Sequence, residues 1–213
     1  ARMVIDNYRP HIPIDPTWPM VKLGNQVEMI GGGTPSKERS DFWQDGEIKW
    51  ISSKHIDQDG KISGFELITN VALKNSSTRI VPVGSTIIIT RVSVGKYAFA
   101  DKEYAINQDL TGIISKDSSS LLPEFLQILA PYIASIVEKN AQGVGVRGVT
   151  RSSLSKISIP LPELPIQKKI VAEVDEDKNF LESNKMIILR MEHRIQDTLS
   201  RVWEKNDPIP LEV

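Results

Sequence analysis

Residues 165–206, PIQKKIVAEVDEDKNFLESNKMIILRMEHRIQDTLSRVWEKN, decide the fold, because Val174, Leu181, Ile188, Ile195 and Val202 recur there every seven residues without a miss. So regular a stripe marks a long helix and calls for a partner helix. The companion series, four residues earlier, reads Ile170, Asp177, Asn184, Met191 and Thr198, apolar at only two of five places. A seam half apolar and half polar favours register and choice of partner over raw stability. The expected interface residues are Ile170, Val174, Leu181, Ile188, Met191, Ile195 and Val202. At ~1.5 Å per residue such a helix reaches about 60 Å, which makes it a spacer as well as a docking surface. The plainer alternative is an amphipathic helix lying on its own domain. A rod of this length overhangs the small domain before it.

Outward from the helix toward the N-terminus, Pro160-Leu-Pro-Glu-Leu-Pro165 reads as a joint, with Pro165 suited to a first helical turn. Before it, Ile157 and Ile159 suggest a strand, preceded by a glycine loop from Gly143 to Gly148. Pro123–Lys139 carries helical spacing through Phe125, Ile128, Leu129, Tyr132, Ile133, Ile136 and Val137. Strands are expected at Ile48–Ser52, Thr86–Val92 and Ile113–Ser115, with a Val81-Pro-Val-Gly84 turn before the middle one. Val21–Ile30 alternates weakly and is open between strand and short helix. Gly31-Gly-Gly-Thr-Pro-Ser36 is a loop. The expected organisation is a proline-rich arm (1–17), an irregular mixed α+β globular domain (18–163), a long coiled-coil helix (164–206) and a tail (207–213).

Composition narrows the function classes. With 213 residues, 40% of them hydrophobic and 25% charged, there is room for one good core and an appendage. No run of eighteen apolar residues and no cationic leader are present, so no membrane or secretory segment is expected. The absence of cysteine removes disulfides, thiolate metal sites and thiol catalysis, and fits the cytoplasm. Residue 1 is Ala, so a processed chain or a piece of a longer one is expected. The net charge of −1 hides an uneven distribution. Lys139–Pro162 holds Lys139, Arg147, Arg151 and Lys156 with no acid, and Arg79–Lys96 holds Arg79, Arg91 and Lys96 with none. Together these stretches would form one positive face.

Three signals of other chemistry are weak. His55–Glu66 mimics a calcium loop, but His55 stands where a carboxylate must, and a tight Asp-Gly turn at Asp59-Gly60 explains the pattern better. Glu47-Ile-Lys49 matches half of a magnesium nuclease site and lacks the upstream strand carboxylate. Neither glycine loop continues into a phosphate-binding motif. The histidines (His11, His55, His193) are too scattered to suggest a cluster.

Several ordered motifs remain: Trp18-Pro-Met-Val-Lys-Leu-Gly24, Gly33-Thr-Pro-Ser36, Gly46-Glu-Ile-Lys-Trp-Ile-Ser52, Val81-Pro-Val-Gly-Ser85, Arg91-Val-Ser-Val-Gly-Lys96, Asn107-Gln108, Ile159-Pro-Leu-Pro162 and Ile166-Gln167. In this order and spacing they resemble the specificity subunits of Type I restriction-modification systems, over nearly the whole chain from Trp18 to Lys205. The resemblance implies a target recognition domain that reads one half of a split double-stranded DNA sequence. It also implies a spacer helix that docks the methyltransferase (M) subunits, alongside the restriction (R) subunit. No cofactor is then expected on this chain, since S-adenosylmethionine and the Asn-Pro-Pro-Tyr/Phe motif belong to the methyltransferase. Full specificity subunits carry two recognition domains and two spacers, whereas this chain has one of each. Ala1–Pro10 resembles the tail that joins an adenine methyltransferase to a fused specificity region.

Base reading needs bidentate donors and phosphate contacts need cations, hydroxyls and backbone amides. The expected base readers are Arg91, Arg147 and Arg151, with Lys37, Arg39, Lys54, Lys96, Thr150 and Ser152 on phosphates and the glycine loops supplying amides. Trp50, Asn107 and Gln108 are expected to be structural. A chain with one recognition domain is expected to form a homodimer through the helix. Two rivals stay open: a magnesium nuclease using Glu47 and Lys49, and a coiled-coil adaptor with no affinity for DNA.

Overall fold

The computed structural model describes residues 14–141 and 148–204, with side chains to residue 201; most of the arm, the second glycine loop through Arg147 and the tail lie outside these. Two compact units divide the chain, one of residues 12–171 and one holding the helix from residue 172 onward. In the first unit β1 (Met20–Lys22), α1 (Leu23–Gln26) and β2 (Val27–Gly31) follow one another directly. The Val21–Ile30 stretch is thus strand, single turn and strand, with Leu23 fully buried inside the turn.

Next come β3 (Ile48–Ile51), β4 (Glu66–Ile68), α2 (Asn70–Asn75), β5 (Arg79–Val81), β6 (Thr86–Ile89), β7 (Tyr97–Phe99), β8 (Tyr104–Ile106) and β9 (Leu110–Ser115). They build two four-stranded sheets, ordered β2-β9-β6-β7 and β4-β3-β8-β5; within the second, β3 and β8 run parallel. Ile51, Val81, Ile87, Ile89, Tyr104, Ile106 and Leu110 draw residues from both sheets into one buried cluster. Phe42, Trp50, Ile68, Ala72 and Ala105 form a second cluster. Strand β6 is buried at all four positions, because Ile87 and Ile89 join the first cluster while Ile88 lies on the opposite face of the strand. The helix α3 (Pro123–Asn140) packs on β6, β7 and β9. Then α4 (Arg151–Ser155) leads into β10 (Ser158–Pro160), which pairs antiparallel with β1.

The strand expected through Val92 stops at Ile89. There the Thr90 N–H turns to the Asp109 carbonyl and the Thr90 carbonyl accepts from Val149, both at 2.8 Å. Val92 then adopts φ +66°, outside the extended region that a strand requires.

The last helix, α5, runs Leu164–Glu204. Its start is tied into the first unit by Gln167, which is fully buried. The Gln167 amide donates to the carbonyls of Ser120 and Pro162 at 2.8 Å and accepts from the Leu122 N–H at 2.9 Å. Leu122 is the N-cap of α3 and has no capping side chain of its own, so Gln167 takes up one of the donors that a helix start leaves over. Further along α5, Ile170 and Val174 are buried within the chain, which leaves the open part of the stripe to start near Phe180. Among the described helices none is long and apolar enough to cross a membrane.

Candidate nucleic-acid interface

Four loops of the first unit are stitched together by backbone bonds. The loop after β2 docks on the end of β8 through the Gly33 N–H, which donates to the Ile106 carbonyl at 3.0 Å. The loop after β8 is locked by Asn107, whose Oδ1 accepts from the Asp109 N–H at 3.0 Å and whose amide donates to the Asp109 carboxylate at 2.8 Å. Thr34 donates to the Gln108 side chain at 2.8 Å. The loop between β6 and β7 is joined to Gly148 by an isolated bridge at Arg91 and to Val149 through Thr90. Thus the two acid-free stretches of the sequence meet at Arg91 and Gly148.

Two free guanidinium groups stand on this platform. Arg91 is exposed on the β6–β7 loop. Arg151 is exposed at the start of α4 and crosses Gly31, since a Cβ built on Gly31 would come within 2.8 Å of its guanidinium carbon. Among the described residues neither group has an ion-pair partner. Unpaired Arg forks suit guanine edges and phosphate oxygens alike.

The other expected cations are placed differently. Lys37 and Lys54 both donate to Glu66, Lys54 at 2.7 Å, and Lys37 also lies over the Trp43 ring at 3.2 Å. Arg39 grips Asp41 through two bonds of 2.7 and 2.6 Å. The Lys37 and then the Lys54 hydrogen bond holds the Glu66 carboxyl below its usual range, so it stays ionised at neutral pH. These three cations are exposed but engaged: Asp41 balances Arg39, while the single Glu66 carboxylate is shared by Lys37 and Lys54. Lys96 is half-buried, and its carbonyl accepts from Ile89. The Thr150 hydroxyl caps α4 by accepting from the Ser153 N–H at 3.1 Å; Ser152 is exposed beside it. Arg147 lies outside the described residues. In the first glycine loop the Gly33 N–H is used internally and is not offered to a phosphate.

Trp50 is buried, with its indole N–H donating to the Gly33 carbonyl at 3.2 Å. In the calcium-like stretch, Asp57 accepts from Ser63, Glu66 serves the two lysines, and Asp59-Gly60 forms a turn with Gly60 at φ +76°. Burial, then the charge of Lys54, pushes His55 below its ordinary value, so the ring is neutral near pH 7. Lys49 lies over the Phe65 ring at 5.1 Å. Sequence reasoning missed two features of this region: Glu66 as the partner of Lys37 and Lys54, and the backbone of Val92.

A family model described as the Type I restriction modification DNA specificity domain matches residues 16–193. The chain belongs to this family. The specificity domain is 30% identical over 160 residues to the Type I restriction enzyme EcoR124I/EcoR124II specificity subunit of Escherichia coli, a match covering 72% of this chain and 39% of that protein. It is 29% identical over 179 residues to the MjaIX specificity subunit of Methanocaldococcus jannaschii, covering 82% of this chain and 40% of that protein. Its fold is similar to the HsdS subunit of Thermoanaerobacter tengcongensis, with a TM-score of 0.60 at 20% identity, over 92% of this chain and 49% of that one. A chain of a Type I restriction-modification complex superposes with a TM-score of 0.65 at 20% identity, over 96% of this chain and 50% of its own length. The specificity domain therefore spans half or less of each of these relatives.

Proposed function

We propose that this chain reads one half of a bipartite double-stranded DNA target for a Type I restriction-modification complex and leaves methylation and cleavage to its partners. The observation that carries this reading is the pair of uncommitted guanidinium groups, Arg91 on the β6–β7 loop and Arg151 at the start of α4, joined by the backbone bond between Thr90 and Val149. Rigid loops hold a base-reading fork in place at little entropic cost on binding. The partners are DNA, methyltransferase subunits carrying S-adenosylmethionine and, in the restriction assembly, the restriction subunit, all in the cytoplasm. The globular part through residue 163 acts as the recognition domain, with the helix from Leu164 as spacer.

A second copy supplies the second half-site. Along the helix unit, Phe180, Met186, Ile187, Met191, Ile195 and Leu199 are exposed, and Leu181 and Ile188 are half-buried, so the open face is broader than the heptad seam. Charge is segregated along it. Residues 172–184 carry Glu173, Asp175, Glu176, Asp177 and Glu182 against Lys178, while residues 185–201 carry Lys185, Arg190, Arg194 and Arg201 against Glu192 and Asp197. An antiparallel pair sets the acidic half against the basic half, and a parallel pair sets like against like. Antiparallel two-fold pairing is therefore favoured, and the target is an inverted repeat.

Binding of a target duplex, measured with the methyltransferase present, tests the reading. Affinity is expected to fall with salt, each neutralised phosphate adding about 0.9 to the log-log slope. Arg91→Ala with Arg151→Ala removes sequence preference, at roughly 1–3 kcal/mol for each base-reading fork. Lys37→Ala or Lys54→Ala, each an exposed lysine already held by Glu66, changes affinity by under about 1 kcal/mol. Wild-type preference in the double arginine variant overturns the assignment.

A further inference from the structure

Val92 is the tip of the β6–β7 loop and is 61% exposed. The Ser93 N–H donates back to the Arg91 carbonyl at 2.9 Å, closing a three-residue turn around it, and its φ is +66°. That sign belongs to the rare, strained form of such a turn, and a β-branched side chain is among the least tolerant of it. Glycine or asparagine would hold the same backbone with less strain. Burial in the free chain does not offset the strain, because the isopropyl group is largely in water.

The surroundings hold the strained turn in place. Ile89 donates to the Lys96 carbonyl at 3.0 Å across the base of the loop, while Thr90 is tied to Asp109 and Val149. Strain that the neighbouring structure over-determines is found where a side chain must be presented. Here an apolar group is presented immediately after Arg91, on the loop that adjoins Gly148. An isopropyl group adds nothing to a phosphate contact. The one apolar group that unmodified bases show in the major groove is the 5-methyl of thymine.

The geometry points to Val92 as a specificity-determining residue that packs its isopropyl group against a thymine 5-methyl within the half-site. This rests on the DNA-reading function proposed above and names one base and one atom of it. Arg91, its neighbour, then reads or anchors the adjoining position.

Selection of a half-site from a randomised duplex pool, using the full chain with its methyltransferase partner, supplies the probe; each selected thymine is then replaced by uracil, which removes only the methyl group. With the wild-type chain, uracil at one thymine is expected to weaken binding about fourfold, the worth of one buried methyl group. In Val92→Gly that loss disappears while the response at other thymines persists, and the variant melts no lower than wild type because the strained turn relaxes. Val92→Asn, whose side chain tolerates this backbone, likewise loses the thymine–uracil distinction. A selected half-site without thymine, equal binding of uracil at every position by wild type, or an unchanged loss in Val92→Gly and Val92→Asn overturns the role of Val92 and leaves DNA reading standing. Selection of no sequence at all overturns both.

Discussion

Gly32→Ala is expected to destabilise the globular unit severely. A Cβ at this position would stand 1.9 Å from the Ile106 carbonyl oxygen and 2.7 Å from that of Asn107, and neither can retreat. Ile106 is fixed in β8 by its pairing with Ile51 and Arg79, and its carbonyl also receives the Gly33 N–H and the Thr78 hydroxyl. To admit one methyl group, the loop must leave the sheet and break this junction. Such a change belongs with the rare substitutions that cost about 4 kcal/mol or more. Gly84→Ala provides the contrast: φ is +83° but nothing lies within 4 Å, so backbone strain alone acts, at roughly 1–2 kcal/mol. Denaturant melts of both variants measure the difference. A Gly32→Ala protein as stable as Gly84→Ala would mean that the glycine loop is not seated on β8.

If the helices pair as proposed, Ile188→Asp is expected to separate them without disturbing the globular unit. Ile188 lies near the middle of the open stripe, with Leu181 and Ile195 one heptad either side. A carboxylate there must be desolvated in every two-fold pairing centred nearby, which costs several kcal/mol. Sedimentation at tens of micromolar should give a dimer for the wild type and a monomer for the variant, with the same melting of the globular unit. A wild-type monomer, or a variant that stays dimeric, would contradict the proposed self-association and leave the methyltransferase as the one proposed partner of this helix.

The helices were legible because periodicity accumulates: the stripe of α5 repeats five times between Val174 and Val202, and α3 shows its face through seven apolar residues. Strands β4, β5, β7 and β8 are three residues each, too short for alternation to stand out from chance, and they are held by long-range pairing. Arg91 and Arg151 stood out because no acid lies near them in sequence. Arg39 could have been discounted from Asp41 alone, two residues away, but Glu66 reaches Lys37 across 29 residues and only the fold reveals it. Gly32 read only as part of a loop and proves to be a requirement for close approach. Nothing in Arg91-Val-Ser-Val-Gly-Lys96 singled out Val92, since Gly95 is the residue that marks a turn. The exposed Phe180 and Ile187 were missed because the strict heptad defines a narrower seam than the face the helix leaves open.

Genome-wide mapping of methylated adenine, in cells with and without this chain, tests half-site recognition most directly. Loss of the chain should erase methylation at one bipartite motif whose two halves are inverted repeats separated by a fixed gap, and the Arg91→Ala, Arg151→Ala chain should fail to restore it. An unchanged methylation map in the absence of the chain would contradict its role as the reader of the target.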